Sequence, residues 1–352
     1  MSYQSAPLFR PPHPSPLPEG EGATQPPRPS TFVASLLRWL LFIVVLAFVG
    51  YALSKQIAQV NWREVHFRPL PIALAALCLL LVPPVQLLSY RTLLGAYAHV
   101  PPLRVMAAVA WVPPLGKYVP GKVASLAGAI YLLRRFNIPA AIALGVVLVM
   151  DGLAVVSGLI TGSPLLLWGP VKRVVPNAWI ACAIVVTLGI ICLHPAVFAR
   201  LLNFALRKMK RPLLSRMPDL RHYLIPVLCA FAQWVLAGAA LWFIANSVTS
   251  VAASRLPLFV AVAGLGYTIS YLMLFAPGGL GPREAIFYAA LVPMIGSERA
   301  GLTAVIVVTM RLVQTLTELL AAVVGLTVLR RVERDGASDD GSRCSRSPFE
   351  SA

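Results

Sequence analysis

AAIALGVVLVMDGLAVVSGLI fills residues 140–160 and carries a single charged side chain, Asp151. A stretch of about 20 apolar residues is the length an α-helix needs to cross a hydrocarbon layer of about 30 Å. The same pattern recurs at residues 36–53, LLRWLLFIVVLAFVGYAL, where Arg38 is the one charge. The whole chain agrees with these segments. Of its 352 residues 58% are hydrophobic and only 12% charged, with a mean hydropathy of +0.77. A water-soluble domain carries about 25% charge and 45–50% apolar residues, so too few charges are present to cover a soluble surface. The sequence therefore predicts an all-α integral membrane protein.

Working outward, hydropathy places spans at about residues 31–53, 70–94, 138–162, 176–194, 222–246, 256–276 and 301–329. The first is read as an uncleaved anchor, because its apolar run is too long for a signal peptide and no A-x-A site follows. Residues 54–69 read as interfacial. Residues 1–30 hold nine of the 31 prolines and are expected to be a disordered tail, and residues 331–352 a disordered cytoplasmic tail; the polytopic domain is residues 31–330. Residues 195–221 read as a loop with seven basic side chains and one acid, Asp219. An excess of Lys and Arg marks a cytoplasmic loop, and its expected partner is the anionic headgroup layer. Arg330, Arg331 and Arg334 place the C-terminus on the same side. The expected total is about eight membrane segments with both ends cytoplasmic.

Two places interrupt the apolar pattern. Residues 104–135 do not read as one span: they break at Pro113-Pro114 and again at Gly116-Lys117-Tyr118-Val119-Pro120-Gly121-Lys122, which predicts a re-entrant hairpin. The second break is Pro277-Gly278-Gly279-Leu280-Gly281-Pro282-Arg283-Glu284, followed by a short apolar helix over 285–296. One interrupted segment in each half is the pattern that points to a transporter's central site.

Charges in apolar surroundings are the other signal. Lys122, Asp151, Arg283, Glu284, Arg311 and Glu318 lie in or beside membrane segments, with Arg91 near a span end. Each would cost roughly 3 kcal/mol facing lipid at mid-depth, so they are expected to face the interior and pair there. In the last span Arg311, Gln314, Thr315 and Glu318 recur at i, i+3, i+4 and i+7, making one polar stripe. Arg311 and Glu318 are two turns apart, so their partners are sought in Asp151, Arg283 and Glu284. Lys122 and Arg283 stand at helix starts, where free N–H groups and the dipole favour an anion such as a lipid phosphate. A structural ion-pair network and a binding site both fit this pattern, and for Asp151 so does a role in joining helices.

Other chemistries are excluded on residue grounds. The formal net charge of +17 would suggest nucleic acid in a soluble chain, but here the basic residues sit between spans. The five cysteines include no C-x-x-C pair, and no histidine has a ligand-like neighbour at i+3 or i+4, so no metal site is expected. Gly116-x-x-x-x-Gly121-Lys122 imitates a phosphate-loop, yet Val123 stands where Ser or Thr would hold magnesium. No nucleophile elbow or paired-carboxylate motif is present. Neither a cofactor nor an enzymatic activity is expected.

The two interrupted stretches, residues 116–123 and 276–285, resemble the signature segments of the lysylphosphatidylglycerol synthase transmembrane-region (flippase-like) family, and the resemblance spans about residues 32–330. Pro282 departs from the small apolar residue, often Val, that usually precedes Arg-Glu. The resemblance implies a bundle of about eight helices with re-entrant segments in a bacterial cytoplasmic membrane. It also implies a module that moves a charged phospholipid between leaflets. The aminoacyl-transferase domain of the family's best-understood members is not expected here, since some 22 residues follow the last span. The expected function is thus translocation of a polar-headgroup lipid, a phospholipid or an isoprenoid or hopanoid-type lipid. Lys122 and Arg283 would hold the phosphate. Asp151, Glu284 and Glu318 would balance it or bind a cationic part, and Lys117, Tyr118 and Arg311 complete the expected binding residues, with Tyr267 and Tyr271 along the path. The rival readings are an intramembrane enzyme of lipid or lipid-linked glycan synthesis, for which Glu284 is the sole acid–base candidate, and a non-transporting scaffold.

Overall fold

The computed structural model describes residues 67–97, 100–118, 123–173, 177–208, 220–273 and 281–344, together with Tyr51, Ser54, Ala58, Trp62 and Val65. All belong to one compact unit, Arg38–Ala352. The tail 1–30, the expected span 31–53 apart from Tyr51, Lys122, and residues 209–219 of the basic loop lie outside the described residues.

Besides the single turn Gly169–Lys172, ten longer α-helices carry the described chain: α1 Pro69–Gly95, α2 Leu103–Trp111, α3 Val123–Arg135, α4 Ala140–Gly162, α5 Ala178–Leu193, α6 Pro195–Lys208, α7 Leu220–Val248, α8 Leu256–Leu272, α9 Pro282–Ile295 and α10 Ala300–Cys344. Among the described residues five helices are long and apolar enough to cross a membrane, or six if α5 and α6 count as one bent span. The expected total of about eight is not reached there. One expected span lies outside the description, α5 has only 16 residues and α9 only 14.

Local chemistry explains the ends. Prolines open α1, α8 and α9, where a missing N–H costs nothing and the fixed φ suits the helix. Asn137, at φ 61, closes α3, and the Leu133 carbonyl accepts from both Phe136 and Ile138. One residue in the left-handed region with a doubled carbonyl is a common helix stop. α5 meets α6 at an angle of 87°, so residues 195–208, expected as loop, are an amphipathic helix instead. Phe198 and Leu206 are buried, while Leu201 and Phe204 are exposed. The high charge of this stretch conceals a helical apolar period. α10 continues through polar residues to Cys344, beyond residue 331, from which the sequence predicts tail.

The first interrupted segment appears as expected, in two short helices: α2, a tight turn over Pro113–Tyr118, and α3. Val105 through Ala110 are all buried, so α2 lies inside the bundle, packed on α10 and α1. Pro83 and Pro84 sit within α1 and deprive the Leu79 and Leu80 carbonyls of helical donors. The Trp111 indole N–H, from the end of α2, donates to the Pro83 carbonyl at 3.0 Å and ties the two segments together. Trp111→Phe should cost about 1 kcal/mol, the net worth of one such bond, read as a small fall in melting temperature in detergent.

α1 packs along α7, α8 packs on α4 and α7, and α3 on α4. The buried apolar side chains form two clusters. On α1, Ala75 and Leu79 belong to one, and Tyr90, Leu93 and Leu94 to the other. On α10 the corresponding sets are Ile306, Val307 and Met310, and Leu329. α7 gives Ala240, Leu241 and Ile244 to one and Ala230 to the other. The positions between them, Gln86 on α1, Gln233 on α7, and Gln314 and Glu318 on α10, line a cavity. A polar layer thus lies between two apolar layers, near the middle of each span.

Candidate functional site

Both interruptions converge on this layer. The first presents Lys117 from the tight turn before α3. Gly116 beside it lies so close to α3 that an added Cβ would sit 2.5 Å from the Ser125 backbone nitrogen, so only glycine lets the turn press against that helix. Lys117 Nζ reaches Glu318 Oε1 of α10 at 2.5 Å. Gln314, one turn earlier, donates Nε2 to the same oxygen at 2.7 Å, and its own Oε1 accepts from the Tyr267 hydroxyl at 2.6 Å. A continuous polar chain therefore joins the first break, α10 and α8.

The second break supplies Arg283 and Glu284 in the first turn of α9, both buried. Gly281 holds φ +91, a backbone few side chains tolerate, and Pro282 takes the first helical position, which suits it. The unusual Pro282 is thus accommodated. Glu284 Oε2 accepts the Gly281 N–H at 2.8 Å, capping the turn. Its Oε1 lies 3.4 Å from Arg311 NH1 and 3.4 Å from Arg283 NH2. The Arg283 guanidinium also rests 4.6 Å from the centre of the Tyr267 ring, a cation–π contact.

Of the expected site residues, Lys117, Arg283, Glu284, Arg311 and Glu318 are brought together. Arg311 takes Glu284 as expected. The partner of Glu318 is Lys117, which was not among those sought. Thr315, the other member of the stripe, donates to the Arg311 carbonyl of its own helix. Asp151 accepts from the hydroxyl of Tyr271, one turn beyond Tyr267 on α8, and lines the same cavity as Lys117 and Arg283. Lys122 and the side chain of Tyr118 lie outside the described residues. Among the described residues no cluster of three His, Cys, Asp or Glu is placed to hold a metal.

The cavity measures about 360 Å³, within the roughly 300–1,000 Å³ of small-ligand sites. Lys117, Arg283, Asp151 and Glu318 are its charged lining. Neutral residues that charge-based reasoning passed over complete it: Trp111, Gln86, Ser125, Gln233, Trp234 and Thr268. Trp234 donates its indole N–H to Ser157 at 2.8 Å and lies 6.0 Å, ring centre to ring centre, from Tyr267. Isolated polar residues in an apolar helix carry no pattern; the one cue was that Gln86 and Gln233 fall near mid-span.

No curated protein matches the chain. The family model described as lysylphosphatidylglycerol synthase TM region matches residues 32–322, and with most of its length so matched the chain belongs to that family.

Proposed function

We propose that this protein moves a phosphate-bearing lipid between the leaflets of a bacterial cytoplasmic membrane. The observation that carries the reading is the mid-span cavity into which each interrupted segment delivers one cation, Lys117 from the first and Arg283 from the second. Guanidinium and ammonium groups bind phosphate oxygens through charge-assisted hydrogen bonds. Placed midway along the spans, they offer the headgroup a polar station while its tails stay in the bilayer. The topology that goes with this reading has about eight membrane segments, residues 31–53 being the first, and both ends cytoplasmic. The stretch following α5 would meet anionic headgroups on that side.

Translocation alone, without chemistry on the lipid, is the reading we favour over an intramembrane enzyme. Glu284 was the one acid–base candidate, and both its oxygens are engaged, by Arg283, Arg311 and the Gly281 N–H. A carboxylate so held is committed to fastening the second break. The test is reconstitution into liposomes with fluorescent phospholipids. The Lys117→Gln, Arg283→Gln double variant should flip lipid at least about tenfold more slowly, since each charged contact is worth roughly 1.5–3 kcal/mol. Equal rates for wild type and a folded double variant would refute the proposed site.

A further inference from the structure

Both cations of the cavity already hold resident carboxylates, and the two pairs are built differently. Glu284 is fastened to Arg283, to Arg311 and to the Gly281 N–H. If Arg283 turns to a phosphate, Glu284 keeps Arg311 and its cap. Glu318 is held otherwise. Its Oε1 receives Lys117 Nζ at 2.5 Å and Gln314 Nε2 at 2.7 Å, and Lys117 is also the cation that the first interrupted segment offers to the cavity. We infer that the phosphate and one proton bind together, the proton on Glu318, so that the lipid crosses with a proton. The inference rests on the proposal that Lys117 and Arg283 hold a lipid phosphate, and it adds the ion that travels with it.

The reason is charge. A phosphate on Lys117 sets a second anion against the ammonium that Glu318 uses, at mid-span between two apolar layers. Two anions crowded into one poorly hydrated site do not both stay charged, and the weaker acid takes up a proton. A phosphodiester is by far the stronger acid, so the proton goes to Glu318. The negative charge gained and the proton gained then cancel. Charge added at mid-membrane without such compensation is costly.

The surroundings suit a carboxyl that changes state. The Tyr267 hydroxyl donates to Gln314 Oε1 at 2.6 Å and so fixes the amide with its nitrogen toward Glu318. A protonated Glu318 still accepts that bond at Oε1 and carries its proton on Oε2. Its side chain is 25% exposed and lines the cavity, so water can deliver the proton. The other titratable groups around the cavity are placed differently. Asp151, on α4, accepts from the Tyr271 hydroxyl, a neutral partner that a phosphate on Lys117 does not draw on. Tyr90 of α1 lies in the field of Asp151, and Arg311 pairs with Glu284. From α2 and α7 come Trp111, Gln233 and Trp234, which do not titrate.

The test is calorimetric titration of the full chain in detergent with a short-chain phosphatidylglycerol, whose phosphodiester stays singly charged throughout. Repeating it in buffers of different ionisation enthalpy counts the protons taken up per lipid bound. Expected is uptake of about one proton at mildly acid pH, with an affinity that falls by up to about tenfold for each unit rise in pH. Glu318→Gln should take up none and lose the pH dependence. Lys117→Gln should bind more weakly and also take up none, because Glu318 without its ammonium already holds the proton; it gives the same readout should the first variant fail to fold. Binding without proton uptake by the wild type would overturn the inference and leave the translocation reading standing. Uptake that survives in folded Glu318→Gln, as it would if Asp151 held the proton, would overturn it too. No binding at all would refute the phosphate station itself, and both readings with it. Proton uptake on binding without flipping in liposomes would refute translocation and leave the joint binding standing.

Discussion

Glu284→Ala should lower stability by about 3–5 kcal/mol, the usual cost of removing one partner from a buried ion pair. The substitution takes the shared carboxylate from Arg283 and Arg311, both held within 3.4 Å of it, and from the Gly281 N–H at the start of α9. Loss of the cap alone is worth about 1 kcal/mol. Thermal unfolding in detergent measures the sum. Glu284→Gln keeps an oxygen for the Gly281 N–H but not the charge, so it should fall between wild type and the alanine variant. Adding Arg311→Ala to Glu284→Ala should recover part of the loss, with a coupling of about 0.5–3 kcal/mol between the two positions. An alanine variant that melts with the wild type, or strict additivity in the pair, would show that Glu284 does not fasten the second break to α10.

The other large effect is steric. A Cβ built on Gly238 of α7 would lie 2.3 Å from the Cα of Val260 on α8 and 2.7 Å from its backbone nitrogen. Backbone cannot rotate away as a flexible side chain can, so Gly238→Val must wedge the two helices apart. Membrane helices rely on such small residues for close approach, and forcing extra atoms into a packed contact costs roughly 1–3 kcal/mol or more. The damage should extend to function, because Trp234 on α7 and Tyr267 on α8 face each other across the cavity wall at 6.0 Å. Gly169→Ala is the matched control: its new Cβ meets nothing within 4 Å. Melting temperature and flipping rate should both fall for Gly238→Val and hold for Gly169→Ala. Equal behaviour of the two variants would rule the wedge out.

The two breaks were legible because proline and glycine punctuate a helix whatever surrounds them, and Arg311 through Glu318 were legible because helical spacing alone aligns them. The pairing of Lys117 with Glu318 was not, since 201 residues separate the partners and only the packing of α10 on the first interrupted segment brings them together. Asp151 stood out by its charge, yet its bond with the Tyr271 hydroxyl depends on where that residue falls on α8. Trp234, Gln233 and Thr268 were missed because a neutral side chain in an apolar run differs little from core. α6 was hidden by its own arginines, although Phe198 and Leu206, both buried, mark a helical face in hindsight.

The sharp bend after α5 has a mechanical consequence. α5 contains 16 residues, about 24 Å at 1.5 Å per residue, against a hydrocarbon depth of about 30 Å. α6 turns off nearly at a right angle and holds that end of α5 at one level. For α5 to reach both surfaces, the neighbouring lipid must thin by several ångströms, a deformation costing fractions of a kcal/mol per ångström. Beside α5, a headgroup would then have a shorter distance to travel than beside α4, which has 23 residues.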